Sequence, residues 1–184
     1  MSRTIVAAMA VTLLSACRQP PTAPDTPAGA PLLVINEAGQ LVGDYDLLVN
    51  TDRGQTEWLT LGSDGLQAAY PPGQVWGFIG CVVRGGSTPG SRSGVDLRGY
   101  RSLQLQIRGA SNFDVQVGMK DTTDPDTGTE SRRTVSVTTS WQTRSFNLAD
   151  FTTADLSRIY MLFEVVFADS IAQTVFVRDV RFVP

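Results

Sequence analysis

Carboxylates are the residues in this chain best able to do chemistry. Asp121, Asp124, Asp126 and Glu130 fall within ten residues, DTTDPDTGTE. Glu164 stands alone in the apolar run Tyr160 to Phe167, where an unpaired carboxylate is costly to bury. Acids in such numbers can hold a hard cation, hydrogen-bond hydroxyl groups, or work as an acid–base pair. A glycoside-cleaving pair needs a separation of roughly 5 Å for retention or roughly 6.5–9.5 Å for inversion. The 121–130 segment does not follow the EF-hand pattern: Pro125 splits the two close aspartates, the glycine is misplaced and Glu130 comes too early. Three readings stay open for it: a solvated hairpin loop, a sugar-binding edge loop, or a calcium loop. Lys120 and Asp121, where a strand runs into this loop, and Glu130 at its far end are its candidate ligand contacts. For Glu164 the alternatives are an open ligand-facing surface or an ion pair with an arginine such as Arg108 or Arg132.

The sequence contains no histidine. That excludes Ser-His-Asp and Cys-His nucleophiles, imidazole general bases and His-bound metals. Cys81 lies in an apolar run and reads as a buried, inert thiol. The glycines match no phosphate-loop spacing. Net charge is −3, the wrong sign for a nucleic-acid partner, and 14 of the 15 basic residues are arginine. A non-enzymatic chain is expected, with no catalytic residues.

Trp76 is the other residue with recognition chemistry. Val75, Ile79, Cys81 and Val83 share one parity of the 74–83 segment, and Gln74, Trp76 and Phe78 share the other. With the first set in the core, Trp76 points outward. The outward sets of the neighbouring segments add Gln104, Gln106, Arg108, Gln116, Lys120 and Glu164. An indole offers a flat apolar surface to the C–H face of a sugar ring, and amides and charges bond its hydroxyls. The competing reading packs Trp76 under a loop such as 85–94. Trp141 is expected to pack rather than bind.

The elements that position these residues are strands. From Leu32 onward the apolar period is two. Leu103, Leu105 and Ile107 alternate with Gln104, Gln106 and Arg108, and Phe113, Val115, Val117 and Met119 with Asp114, Gln116, Gly118 and Lys120. Val135 and Val137 alternate with polar neighbours. Met161, Phe163, Val165 and Phe167 alternate with Tyr160, Leu162, Glu164 and Val166. Further strands are expected at 31–36, 45–50, 56–61, 66–70, 74–83, 141–148 and 173–183. Gly- and Pro-rich turns separate them, such as Pro71-Pro72-Gly73 and Pro89-Gly90. Only 152–158 reads as helical, for about one turn. Many short strands with regular turns predict an all-β antiparallel sandwich forming one domain, 32–184.

The N-terminus reads differently. Arg3 precedes ten apolar residues, IVAAMAVTLL, which span roughly 15 Å as a helix, about half a bilayer core. Leu14-Ser15-Ala16-Cys17 then resembles the bacterial lipobox. That resemblance implies a signal peptide over 1–16, lipidation of Cys17 and a membrane anchor at the cell envelope. Arg18 after the Cys implies the outer membrane if the envelope is Gram-negative. Residues 17–31 hold five prolines and read as a semi-extended tether of about 40 Å at about 3.1 Å per residue.

The second half carries a further pattern. Val95-Asp96-Leu97-Arg98-Gly99-Tyr100 precedes a strand ending Ile107-Arg108-Gly109. Trp141-Gln142-Thr143, Phe146-Asn147-Leu148 and Asp150-Phe151 follow, and the chain ends Thr174-Val-Phe-Val-Arg178-Asp179-Val-Arg-Phe182. In order and spacing this resembles the galactose-binding-like jelly roll of many carbohydrate-binding modules, from about residue 45 onward. The resemblance implies two facing antiparallel sheets and glycan binding on one sheet or its edge loops. It also implies a structural calcium on an acidic residue of the last strand. Arg178-Asp179 stands where an Asp-Asp pair is common, which argues against the ion, so no cofactor is expected. The expected function is non-catalytic glycan or polysaccharide binding by an envelope lipoprotein. The alternative is a structural or adhesive domain binding another envelope protein.

Overall fold

The computed structural model describes residues 29–85 and 91–184. The expected signal peptide, Cys17, most of the tether and the Pro89-Gly90 turn lie outside these residues. The described chain forms eleven strands: β1 (Leu32–Ile35), β2 (Tyr45–Thr51), β3 (Leu59–Gly62), β4 (Gly65–Tyr70), β5 (Gly77–Val83), β6 (Ser102–Gly109), β7 (Phe113–Asp121), β8 (Arg132–Val137), β9 (Gln142–Asn147), β10 (Ile159–Phe167) and β11 (Gln173–Val183). Each overlaps a segment of period-two alternation or a run bounded by turn residues. The expected helical turn at 152–158 is instead a series of turns, and a 3₁₀ turn forms earlier, at Leu148–Asp150. Asn147 starts it by accepting a hydrogen bond from the Ala149 amide, so the cap sits five residues before the expected site.

Two antiparallel sheets face each other. One runs β3-β4-β11-β6-β9, with β1 also paired to β11; the other runs β2-β5-β10-β7-β8. Their inner faces carry the apolar parity of every strand: Leu103, Leu105 and Ile107 meet Val175, Val177 and Phe182 from one sheet and Ile79, Cys81, Val117 and Val165 from the other, all fully buried. Each such side chain stabilises the sandwich by about 1.5–3 kcal/mol through loss of apolar contact with water. One end of the core is closed by an aromatic cluster in which Tyr70 stacks on Phe167 and Trp58 meets both edge-on. Trp58 Nε1 donates to the Gln55 carbonyl and Tyr70 Oη to that of Asp169, so neither buried polar group is orphaned.

The alternation expected for β10 breaks once. Register shifts flank Met161, and the chain there holds Leu162 and Phe163 both in the core. Met161 and Tyr160 therefore pack on the outer face with Val82, Leu48 and Phe78. Register shifts on both sides of Met161 swap the faces of Met161 and Leu162, and the expected parity resumes from Phe163 onward. Met161, expected inside with Phe163, is outside for that reason.

Candidate functional site

The outward residues expected to share one surface occupy two. Gln104, Gln106 and Arg108 lie on β6, on the outer face of the β3-β4-β11-β6-β9 sheet. Trp76, Gln116, Lys120 and Glu164 belong to the opposite sheet. Alternation within a strand tells inside from outside, but it does not tell which sheet a strand joins.

The second sheet's outer face is grooved. The cavity measures about 550 Å³, and its wall includes Leu48, Trp76, Phe78, Lys120, Arg132 and Glu164. Trp76 immediately precedes β5, and Phe78 stands two residues later on the same face. Their rings lie 6.4 Å apart and 25° from parallel. Trp76 remains 41% exposed, and residues 86–90 of the 85–94 loop expected as its alternative cover lie outside the described residues. Both rings belong to the groove wall.

The floor is set by one cross-strand row. Leu48, Gly80, Glu164, Gly118 and Arg132 stand side by side on β2, β5, β10, β7 and β8. The two glycines that flank Glu164 give the row its depth. A Cβ on Gly118 would lie 2.7 Å from Glu164 Oε1, and one on Gly80 would lie 3.2 Å from Met161 Sδ. The carboxylate of Glu164 lies across the space that a larger residue at 118 would fill.

Glu164 is 1% exposed, the Glu130 side chain is fully buried, and the Arg132 guanidinium bridges the two carboxylates. Arg132 donates from Nε to Glu164 Oε1 at 3.1 Å and from Nη2 to Glu130. Lys120 Nζ lies 3.6 Å from Glu130, 3.5 Å from Asp126 and 3.9 Å from Asp124. Burial pushes the Glu164 carboxyl up to about 7, and the neighbouring Glu130 adds to it through its hydrogen bond and its charge. Lys120 and Arg132 pull against that rise without cancelling it. Burial also works against ionised Glu130, but the hydrogen bond with Glu164 and the charges of Lys120 and Arg132 outweigh it and hold its carboxyl low. The buried pair therefore holds a proton to higher pH than a free glutamate does.

The 121–130 loop closes one side of the groove through an arginine that carries no signal in the sequence. Arg92, with only 2% of its side chain exposed, donates from Nη1 to the Asp124 carbonyl at 2.7 Å and pairs through Nη2 with Asp126. Its guanidinium lies 4.5 Å from the Tyr160 ring centroid. Asp121 faces elsewhere. Its carboxylate accepts hydrogen bonds from the Thr123 amide and hydroxyl and from the Asp155 amide. It braces the turn and does not line the groove. Gln116 is on the grooved sheet but outside the cavity wall. Arg92 carries no sequence signal because it sits in a loop, and Met161 because the strand irregularity turns it out; Tyr160 shares the parity of Glu164. Phe78 was legible, since it shares the parity of Trp76.

The acids of the loop and of the last strand face the protein's own cations. Among the described residues no group of three acidic or other metal-ligating side chains is placed to hold an ion. Asp124 and Asp126 face Lys120 and Arg92. Asp179, the last-strand candidate, lies 3.3 Å from Arg181 Nη2 and accepts from Gln106 Nε2 at 3.5 Å. Its φ of 48° belongs to the bulge between Arg178 and Arg181. Guanidinium and amide donors occupy the carboxylate that a cation would need. Cys81 is buried, and burial pushes its thiol up to about 12, so it offers no thiolate.

The fold is similar to known structures. A family 30 carbohydrate-binding module aligns with a TM-score of 0.56 and 16% identity, covering 84% of this chain and 87% of the other. A family 29 variant complexed with cellulohexaose aligns at 0.56 and 12%, covering 85% and 92%. Another family 29 variant, complexed with mannohexaose, aligns at 0.55 and 12%, covering 84% and 91%. No curated protein matches the sequence. The family model described as carbohydrate binding domain 30 matches residues 42–184, which takes in both sheets from β2 onward and every residue of the groove, so the chain belongs to that family of carbohydrate-binding modules.

Proposed function

We propose that this protein binds a linear, neutral polysaccharide without cleaving it, in the groove of the β2-β5-β10-β7-β8 sheet, while held at a bacterial cell envelope by a lipid on Cys17. The observation that carries the reading is the Trp76–Phe78 strip beside a charged floor. Two rings 6.4 Å apart and 25° from parallel suit successive sugar residues stacked by their C–H faces. Lys120 and Asp126, on the groove wall, then supply a donor and acceptors to the hydroxyls. Affinity for a neutral chain fits a floor whose charges are already paired with one another. The mannohexaose and cellulohexaose complexes of the family 29 modules supply the first probes.

Titration calorimetry of the protein against both hexaoses tests the groove. Trp76→Ala and Phe78→Ala should each weaken binding about ten-fold or more, since each removes a stacking ring at little cost to the fold. Unchanged affinity in both variants would refute the site. The anchor rests on the lipobox resemblance and has its own test. Cys17→Ser should release the protein from the membrane fraction, and retention of the variant there would refute lipidation.

A further inference from the structure

The opposite sheet also presents a recognition surface. On its outer face Arg108 stands opposite Phe176, and Arg178 stands opposite Gln106. The Arg108 guanidinium lies 3.8 Å from the Phe176 ring centroid and 5.2 Å from that of Trp141. The Arg178 guanidinium lies 4.1 Å from the same Trp141 ring. Gln106 Oε1 accepts from Arg178 Nε at 3.0 Å. Aromatic backing and an amide clamp thus hold two guanidinium planes in place. The Trp141 ring lies on the surface, against these two arginines.

The charges there are not balanced. Arg108 has one acidic partner, the largely exposed Asp64, at 3.1 Å through a single nitrogen. Arg181 pairs with Asp179. Among the described residues Arg178 has no carboxylate partner. In a chain of net charge −3, this face gathers three arginines against two acids. No helix covers it among the described residues. The free nitrogens of Arg178, fixed in plane, match a carboxylate bidentately. Around them Gln104, Gln106 and the exposed Thr143 and Ser145 offer amides and hydroxyls in rows about 6.6 Å apart along the strands. That mixture suits a polyhydroxylated chain bearing acids better than an acidic peptide, which has no hydroxyls to satisfy.

We propose that the outer face of the β3-β4-β11-β6-β9 sheet, centred on Arg108, Arg178 and Trp141, is a second binding surface, and that its ligand is a uronic-acid polysaccharide. The protein would then bridge a neutral glycan in its groove and an acidic one on its back. This second surface does not depend on the groove reading.

The test is affinity electrophoresis of the full chain through gels holding polygalacturonate, its methyl ester, or polyglutamate. Polygalacturonate should retard the protein, and retardation should fall as salt rises. The ester and polyglutamate should not retard it. Arg178→Gln should weaken binding roughly ten-fold, the loss of one charge-assisted bidentate contact. Arg108→Gln gives a second reading if the first variant misfolds. Trp76→Ala should leave polygalacturonate binding unchanged. Absence of retardation, equal retardation by the ester, equal binding of polyglutamate, or loss of binding on Trp76→Ala would each overturn the proposal.

Discussion

Glu164 should make this protein lose stability as pH rises through neutrality. Its carboxyl titrates near 7 in the fold and near 4.5 in an unfolded chain. Between those values the folded chain holds a proton that the unfolded chain has released. Stability therefore falls with rising pH, starting at about 4.5 and complete just above 7. At 1.36 kcal/mol per unit, the loss is about 3 kcal/mol. The other shifted acids do not mask it. Glu130, Asp96, Asp121 and Asp155 are all held low, so their contributions are lost only as pH falls below about 4. Urea denaturation at pH 5 and pH 8 reads the difference. Glu164→Gln is the decisive variant. A glutamine amide can accept from Arg132 and donate to Glu130 as the protonated acid does, yet it never ionises. The variant should match the wild type at pH 5 and exceed it by about 3 kcal/mol at pH 8. Stability that is flat or rising from pH 5 to 8 in the wild type, or the same slope in the variant, would refute the shared-proton account.

Three further outcomes follow from the geometry. Gly118→Ala puts a Cβ where the Glu164 carboxylate lies and should cost about 1–3 kcal/mol, checked by denaturant midpoint, with weaker hexaose binding. Arg92→Met removes the clamp on Asp124 and Asp126; amide hydrogen exchange in 121–130 should quicken while exchange in β6 and β11 stays unchanged. Treatment with a calcium chelator should leave the melting temperature unchanged, because Arg181 and Gln106 already hold Asp179; a drop of several degrees would refute that assignment.

The strands were legible because each buries one face. Leu103, Leu105 and Ile107 must share a side, and that alone fixes Gln104, Gln106 and Arg108 on the other. Strand order was not legible, because pairing between β6 and β11 or between β7 and β10 is set by long-range closure and not by local pattern. Three candidate residues therefore landed on a different sheet from Trp76. Two local irregularities hid the rest. The irregularity around Met161 turns Met161 toward the groove and Leu162 into the core, each against its parity. Arg92 comes from a loop with no periodicity, and only the folded chain brings its guanidinium to Asp126. Glu164 was correctly singled out as too costly to bury alone, and Arg132 was one of the partners named for it.

The chemistry of the floor explains why a binding groove tolerates so much buried charge. A neutral polysaccharide pays to lose water from its hydroxyls, and groups already fixed by one another can replace that water without further ordering. Arg132 and the two glutamates Glu130 and Glu164 position each other, Lys120 is held among three carboxylates of the 121–130 loop, and Arg92 holds that loop through Asp124 and Asp126. Removing Arg132 leaves Glu130 and Glu164 with one fewer cation in a buried site, a penalty that can reach several kcal/mol. Substituting both Glu130 and Glu164 with Gln instead would leave Arg132 and Lys120 in excess. A floor of net positive charge should then favour acidic chains over neutral ones, and this reversal separates a recognition role for the network from a purely structural one.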